Sequence, residues 1–358
     1  MEKIKLLILF GGQSGEHEVS VASAQSVCEN LDREKYDVRT LGITKQGRWY
    51  FGVTPAEWLA TDDSLGRAGA ETALHLAPGS SGFWPLTEGP AGVYRPDVVF
   101  PLLHGPQGED GTVQGLLTLA GLPFVGSGVL GGALGMDKDR MKAVFREAGL
   151  PVGPYLTLAA ARRTDEAVLT RIEKELGYPC FVKPARMGSS VGITKAASRG
   201  ELAVGLELAA LYDDKIVAER GISGREIEIS VLDGDPPRVS VPGEIIPAAG
   251  FYDYEAKYVS ADSRLVVPAP LAAEVGEKLA DCGRRAFAAV DGRGLARVDF
   301  FMTAGGEVYV NEINTMPGFT NISMYPRLWR ASGLPYGELL DQLIELAFKK
   351  FDPRLLPG

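Results

Sequence analysis

An antiparallel hairpin near the end of the chain constrains the fold more than any other segment. Two runs rich in Val, Phe and Tyr, at 297–302 and 307–314, flank a short connector that ends in two glycines. Strand-forming runs joined by a short glycine-containing connector are typical of a β-hairpin. The intervening residues are too apolar for an exposed ribbon, so we expect one face of the hairpin to be buried.

The register of this hairpin decides which side chains share a face. A turn closed over residues 303–306 would place Val310 opposite Asp299 and Glu312 opposite Arg297. One face would then carry four polar side chains, those of Arg297, Asp299, Glu312 and Asn314. Two carboxylates and an amide oxygen suit Mg²⁺, which leaves positions for phosphate oxygens. The alternative is a solvated face with a surface ion pair.

Composition limits the class of protein. The chain has 358 residues, 45% hydrophobic and 23% charged, with a net charge of -9. This is typical of a soluble globular protein of two or three domains. The acidic balance argues against nucleic acid or an anionic membrane as the main partner, because both require a basic surface.

Localisation is predicted from two further features. Cys28, Cys180 and Cys282 lie far apart in apolar contexts, as expected for buried thiols in a reducing compartment. The apolar start of the chain is too short for a signal peptide, and no stretch approaches the roughly 20 apolar residues of a membrane span. We therefore expect a cytoplasmic protein.

The first third of the chain opens with an apolar strand at 4–10, a glycine-rich turn at 11–18 and a helix at 19–31. This order predicts a doubly wound parallel sheet. The glycine spacing does not fit the G-x-G-x-x-G fingerprint, which disfavours dinucleotide binding. Glu16 lies where such sheets bind ligands, but it could equally stabilise the helix dipole by about 0.3–1 kcal/mol.

A second apolar strand, at 97–103, also ends in a glycine-rich turn, at 104–111. His104 begins this turn, and a structural role and a substrate-side role remain equally open. Residues 66–97 are rich in Gly, Ala, Ser and Pro, which favours short strands and loops in a surface insertion.

The middle third contains a candidate phosphate site. A strand at 177–184 carries Lys183, and the loop after it, 188–192, places Ser189 and Ser190 between glycines. Backbone N–H groups and hydroxyls of such a loop can surround phosphate, and an ammonium can meet its oxygens. Further on, Glu219 ends a strand and Glu226 follows a turn. They could hold an adenine amine and a ribose, although surface charge is the simpler interpretation.

Seven motifs in order resemble the ATP-grasp ligases and, within them, the D-alanine–D-alanine ligases. These are residues 11–20, 104–111, 136–138, 182–184 with 188–192, 252–258, 297–299 and 312–320. The resemblance implies a three-domain α/β fold with an N-terminal doubly wound parallel-sheet domain (1–135). Two α+β ATP-grasp subdomains would follow, a central one (136–220) and a C-terminal one (221–358).

The same resemblance implies roles for individual residues in binding ATP and metal. Phosphates would be held by Lys138 and Lys183 under the loop that contains Ser189 and Ser190. The nucleotide would also be bound by Glu219, Arg220, Glu226 and Lys257. Two Mg²⁺ (or Mn²⁺) ions would be held by Asp299, Glu312 and Asn314.

The implied reaction joins two D-alanines with ATP through an acyl phosphate, for peptidoglycan precursors. Glu16 would hold the ammonium of the first substrate, with His104 nearby, and Ser323 and Met324 the carboxylate of the second. Arg297 and the Gly318 N–H would stabilise the oxyanion. Catalysis would also involve a hydrogen-bonded set formed by Glu16, Ser189 and Tyr258.

The family also implies a homodimer and an amine nucleophile. Tyr258 favours an amine, because the segment that contains it differs in D-alanine–D-lactate ligases. Another ATP-grasp carboxylate–amine ligase, or a D-alanine–D-lactate ligase, is the alternative.

Overall fold

A computed structural model describes residues 2–60, 69–76, 81–86, 92–246 and 264–350. The predicted site residues Lys257 and Tyr258 lie outside these ranges. The described helices are α1 (His17–Asn30), α2 (Pro55–Ala60), α3 (Thr112–Leu119), α4 (Val129–Met136), α5 (Lys138–Glu147), α6 (Glu166–Leu176), α7 (Arg199–Ala210), α8 (Ala273–Ala289), α9 (Met324–Ala331) and α10 (Tyr336–Lys350), with a short 3-10 helix at Ala160–Arg162.

The described strands form three sheets. They are β1 (Ile4–Gly11), β2 (Tyr36–Ile43), β3 (Trp49–Phe51), β4 (Ala70–His75), β5 (Gly82–Pro85), β6 (Val98–Pro101), β7 (Tyr155–Ala159), β8 (Cys180–Pro184), β9 (Thr194–Ala196), β10 (Lys215–Arg220), β11 (Arg225–Leu232), β12 (Arg238–Val239), β13 (Gly243–Ile246), β14 (Arg264–Val266), β15 (Leu295–Met302) and β16 (Val308–Asn314). The α/β fold class is as predicted.

The first sheet has the order β5-β4-β3-β2-β1-β6. Strand β1 pairs in parallel with β2 and β6, so the carboxyl ends of β1 and β6 meet at one edge. The region predicted as an insertion contributes β4 and β5 to the far edge, as short antiparallel strands. An isolated parallel bridge between Val99 and Phe124 lies at the other edge, beside β6.

The other two sheets are antiparallel. The second, β7-β10-β8-β9, packs α6 and α7 against a small apolar core. The third, β14-β13-β11-β15-β16, packs α5 and α8, and β12 pairs with β11. The last helices, α9 and α10, pack with α1 on the first sheet, so the chain after β16 returns to the N-terminal core. The domain boundaries near residues 135 and 220 stay predictions.

The predicted hairpin is confirmed as β15 and β16, but the predicted register is wrong. Asp299 pairs with Glu312 and Arg297 with Asn314, whereas Val310 pairs with Phe300. The register shifts between these pairs, because β16 carries one extra residue there. Such a β-bulge reverses the alternation of side chains on one strand. The bulge therefore brings the polar side chains to one face in spite of the different pairing.

None of the helices in the described ranges combines the length and apolar character that a bilayer crossing requires.

Candidate active site

The polar face of the β15–β16 hairpin forms a tight cluster. Arg297 donates two hydrogen bonds to Asp299, at 2.7 Å from Nε to Oδ1 and 2.7 Å from Nη2 to Oδ2. Asn314 donates to the same carboxylate at 3.2 Å. Glu312 is the Cα partner of Asp299 on the neighbouring strand. The two carboxylates and the amide that were predicted to act together are therefore neighbours.

A third acid, Glu228, lies beside this cluster. It is the Cα partner of Asp299 on β11, and its Oε2 lies 3.1 Å from Arg297 Nε. Burial alone would lower the pKa of Arg297, but Asp299 and Glu228 raise it well above the ordinary value. Arg297 is thus a fixed cation between two acids. Sequence reasoning missed Glu228, although it stands two positions after Glu226 on an alternating strand.

A second charged cluster lies between β8, β10 and α5. Lys183 Nζ donates to Glu219 Oε2 at 3.0 Å, and Lys142 Nζ lies 3.3 Å from Glu219 Oε1. Burial would raise the pKa of Glu219, but the two ammonium groups outweigh burial and lower it to about 2. Burial lowers the pKa of Lys142. Glu219 is therefore a permanent buried carboxylate, and Lys142 is a further residue that sequence reasoning missed.

Arg220 does not point at this cluster. Its Nε donates to the Leu176 carbonyl at 3.0 Å and its Nη2 to the Glu175 carbonyl at 2.8 Å, at the C-terminal end of α6. Successive side chains of a strand alternate, so Arg220 lies on the face opposite to Glu219. This orientation does not favour a nucleotide contact from the Arg220 side chain, and a backbone contact stays a prediction.

The loop between β8 and β9 has an unusual backbone. Ser189 and Ser190 have φ of 45° and 60°, and Gly192 has φ of 71°. Consecutive left-handed residues cost non-glycine side chains about 1–2 kcal/mol each. They also turn backbone N–H groups into a concave surface that suits anions. Lys138 Nζ donates to the Met187 carbonyl at 2.6 Å, so a predicted phosphate ligand lies against this loop.

Glu16 connects this loop to the first sheet. Its carboxylate accepts a hydrogen bond from Ser189 Oγ. Its Oε2 lies so close to two glycines that a Cβ added at Gly105 or Gly188 would approach it to 2.6 Å. Glu16 is the N-cap residue of α1 but makes no side-chain capping hydrogen bond, so stabilisation of the helix dipole stays an open alternative. Its carboxylate also faces Ser189 and Gly188 of the loop between β8 and β9.

His104 is buried and both ring nitrogens have partners. Nδ1 lies 2.9 Å from the Met316 carbonyl and Nε2 lies 3.2 Å from Ser23 Oγ, which itself accepts from the Phe319 N–H. Burial lowers the pKa of His104, which keeps the ring neutral. His104 therefore holds the chain next to Gly318 in place, and this geometry favours its structural role.

Glu109 lies near Glu16, and the sequence analysis did not identify it as a site residue. Its Oε1 accepts from the Gly105 N–H at 2.8 Å and lies 4.0 Å from His104 Nδ1. Burial and the neighbouring Glu16 carboxylate raise the pKa of Glu109 to about 8. A carboxyl group that keeps its proton at neutral pH therefore lies close to Glu16. Its only sequence signal was its place in the glycine-rich turn that follows His104.

The predicted carboxylate site lies at the start of α9. Ser323 Oγ accepts from the Thr320 N–H at 3.0 Å, and a Cβ at Gly318 would approach that oxygen to 2.8 Å. Met324 follows, but its side chain is buried against Ile245 and Leu328. Only the backbone N–H of Met324 is therefore suited to a substrate, at the positive end of the helix dipole.

The charges suit a nucleotide with a divalent cation. The hairpin cluster and the second charged cluster interact with each other. Together they contain five carboxylates, Glu219, Glu226, Glu228, Asp299 and Glu312, and three cations, Lys142, Lys183 and Arg297. In the described ranges no three His, Cys, Asp or Glu side chains converge as a metal site of their own. A cation here would thus need the Asn314 amide and external oxygens besides the acids, which fits Mg²⁺ bound to phosphate.

Two family models match most of the chain. The one described as "D-ala D-ala ligase N-terminus" matches residues 5–127, and the one described as "D-ala D-ala ligase C-terminus" matches residues 144–345. The chain belongs to the D-alanine–D-alanine ligase family. As a member of this family it is an ATP-dependent ligase.

Relatives named D-alanine–D-alanine ligase match over nearly the whole chain. One from Heliobacterium modesticaldum is 50% identical over 355 residues, which covers 98% of this chain and 96% of the relative. One from Ruminiclostridium cellulolyticum is 50% identical over 365 residues and covers 98% and 97%. The resemblance inferred from the seven motifs is therefore confirmed.

Solved structures support the fold of a D-alanine–D-alanine ligase. The enzyme of that name from Coxiella burnetii matches with a TM-score of 0.86 and 40% identity over 98% of this chain and 95% of its own. A VanG D-Ala:D-Ser ligase from Enterococcus faecalis matches with a TM-score of 0.87 and 37% identity over 97% and 100%.

Proposed function

We propose that this enzyme joins two molecules of D-alanine into D-alanyl-D-alanine and converts ATP to ADP and phosphate. The carboxylate of the first D-alanine attacks the γ-phosphorus, the bond from this phosphorus to ADP breaks, and ADP and an acyl phosphate result. The amine of the second D-alanine then attacks the acyl carbon, loses a proton, and phosphate leaves with one oxygen of the first carboxylate. The product would serve peptidoglycan precursor synthesis in the cytoplasm.

One observation carries this proposal. Glu16, at the carboxyl end of the first sheet, accepts a hydrogen bond from Ser189 in the loop suited to phosphate. A carboxylate that can bind a substrate ammonium is thus in direct contact with a loop that can bind an anion. A substrate with both an ammonium and a carboxylate could bridge the two. Relatives at 50% identity that are named for D-alanine support this amino acid.

The nucleotide would be bound between the second and third sheets. Lys138, Lys183 and the N–H groups around Ser189 and Ser190 would contact its phosphates. Glu219 and Glu226 would contact adenine and ribose, and Lys257 is a further proposed contact. The fixed charge on Glu219 holds Lys183 protonated and in place.

Two Mg²⁺ or Mn²⁺ ions would be held by Asp299, Glu312 and Asn314. When bound, they would supply positive charge against the transferring phosphoryl group. Arg297 donates two hydrogen bonds to Asp299 and so holds this carboxylate in place. In the acyl-transfer step the same guanidinium and the Gly318 N–H would face the oxyanion, a contribution of about 3–4 kcal/mol in comparable sites.

The second substrate would bind at the start of α9. The Ser323 hydroxyl and the Met324 N–H would hold its carboxylate. Tyr258, with Glu16 and Ser189, would complete the set that favours an amine nucleophile. We also propose a homodimer, as the family resemblance implies.

The experiment is a phosphate-release assay with product identification by chromatography. ATP and Mg²⁺ are supplied with D-alanine, L-alanine, D-serine or D-lactate, alone and in pairs with D-alanine. We expect phosphate and dipeptide with D-alanine alone, and neither with L-alanine. No phosphate in any mixture would contradict the proposal.

A second candidate is a ligase that takes a different second substrate. The likeness to the D-Ala:D-Ser ligase favours D-serine specifically. A mixed dipeptide in excess over D-alanyl-D-alanine at equal concentrations would establish this alternative. If a Tyr258→Phe variant supplied with D-alanine and D-lactate gives the same ratio of dipeptide to depsipeptide as the wild type at every pH, the proposed role of Tyr258 is excluded.

A further inference from the structure

The bulge in β16 leaves one residue outside the pairing of the hairpin. Asp299 pairs with Glu312 and Phe300 with Val310, so Asn311 has no Cα partner in β15. A bulged residue leaves the regular hydrogen-bond ladder and distorts it locally. The position of Glu312 opposite Asp299 therefore depends on what holds the backbone of Asn311.

Lys142 holds this backbone. Its Nζ donates a hydrogen bond to the Asn311 carbonyl at 3.1 Å and lies 3.3 Å from Glu219 Oε1. The side chain is only 3% exposed. A buried ammonium is costly unless it is paired and hydrogen-bonded, and Lys142 has both kinds of partner. One side chain of α5 thus connects the third sheet to the second.

The segment directly after α5 contacts β16 on the other side of the bulge. The chain that follows α5 pairs in parallel with β16, where Val310 N–H donates to the Pro151 carbonyl at 2.8 Å and Val152 bridges Val310. The residues before and at the bulge are therefore both attached to α5 or to the segment directly after it. An apolar side chain at position 142 could fill the space but would leave the Asn311 carbonyl unsatisfied.

We propose that Lys142 is a positioning residue, which keeps the β16 bulge in the register that sets Glu312 opposite Asp299. Its ammonium also fixes Glu219 at a constant distance from that bulge. The metal-binding part of this inference rests on the proposed function, because it takes Asp299 and Glu312 as ligands of a divalent cation. The structural part, the register of β16, does not.

The test compares Lys142→Met and Lys142→Gln with Arg140→Met, a control on the exposed side of α5. Amide hydrogen exchange is measured over residues 308–314, and Mn²⁺ binding is measured by electron paramagnetic resonance with a non-hydrolysable ATP analogue. Thermal unfolding is recorded for each variant. We expect Lys142→Met to exchange faster at 311–314 and to weaken Mn²⁺ binding about tenfold, as loss of a residue that orients a ligand does. Arg140→Met should match the wild type.

The outcomes distinguish failure of the proposed metal site from failure of the proposed positioning role of Lys142. If the wild type itself does not bind Mn²⁺ with the analogue, the metal site of the proposed function fails, whatever the variants do. If the wild type binds Mn²⁺ and folded Lys142→Met matches it in affinity and in exchange, the inference is overturned. A lower unfolding temperature with unchanged Mn²⁺ affinity also overturns it, because that is a purely structural role. Should Lys142→Met not fold, the same criteria apply to Lys142→Gln.

Discussion

Ser189 donates a hydrogen bond to Glu16 across 173 positions of the sequence. This contact joins the turn after β1 to the loop between β8 and β9, which belong to different sheets. Its consequence is that the proposed ammonium site and the proposed phosphate site cannot move independently while the bond is present. Loop closure and substrate binding should therefore be coupled.

Gly188→Ala should disturb this coupling without unfolding the protein. A Cβ at this position would approach Glu16 Oε2 to 2.6 Å, so the loop or the carboxylate must shift. We expect kcat/KM for D-alanine to fall at least about tenfold, since misplacement by 1 Å can cost more than that. Gly200→Ala is the matched control, because nothing lies within 4 Å of its Cβ. Equal activity of the two variants would contradict the prediction.

Asp299→Asn should abolish most turnover and leave the fold intact. Arg297 would keep Glu228 as a partner at 3.1 Å, so no unpaired buried cation results. We expect kcat to fall at least about 100-fold, which is the upper end of the effect of losing a residue that only supports a metal ligand. Glu307→Gln, at the exposed turn of the same hairpin, should keep full activity. Steady-state phosphate release and circular dichroism provide the measurements.

Glu109 should make stability depend on pH near neutrality. Its pKa is raised from an ordinary 4.5 to about 8 by burial and by Glu16, while His104 and Arg297 also face it. The folded protein therefore keeps a proton that the unfolded chain loses above pH 4.5. The free energy of unfolding should thus fall as pH rises from about 4.5 to about 8, by at most roughly 5 kcal/mol from this group.

Glu109→Gln should remove this part of the pH dependence, because an amide oxygen can still accept from the Gly105 N–H. The variant should gain stability relative to the wild type at pH 8 and much less at pH 5. Urea unfolding at both pH values measures the difference. A wild type whose midpoint rises over this interval, in parallel with the variant, would argue against a protonated Glu109.

Arg220→Met should affect stability and not nucleotide binding. The guanidinium caps the last carbonyls of α6, an interaction of about 0.3–1 kcal/mol. The KM for ATP should stay within about twofold of the wild type, whereas Glu219→Gln should raise it. A large rise in the KM for ATP in Arg220→Met would restore the side-chain role that the family resemblance implied.

Local patterns predicted the hairpin well but not its register. Alternating apolar residues and a glycine turn are read directly from β15 and β16. The backbone at the bulge is bonded instead to residues far away in sequence, the Asn311 carbonyl to Lys142 and the Val310 N–H to Pro151. No property of the hairpin segment alone indicates an extra residue. The resulting face was nevertheless the expected one, because the bulge restores the alternation.

Buried charged residues were the second feature that the sequence did not predict. Glu109, Lys142 and Glu228 resemble surface residues when only their neighbours in sequence are considered. Their roles arise from burial between elements, which local pattern does not show. A weak signal existed for Lys142, because it follows Lys138 by four positions and so lies on the same face of α5. The glycine loop and Lys183 were recognisable because their chemistry is local.

Transfer of oxygen from substrate to phosphate tests the central claim most directly. D-Alanine labelled with ¹⁸O in its carboxylate is incubated with the enzyme, ATP and Mg²⁺, and the released phosphate is analysed by mass spectrometry. An acyl phosphate requires one ¹⁸O atom in each phosphate that accompanies a dipeptide. Dipeptide formed with unlabelled phosphate would contradict the proposed ligase mechanism.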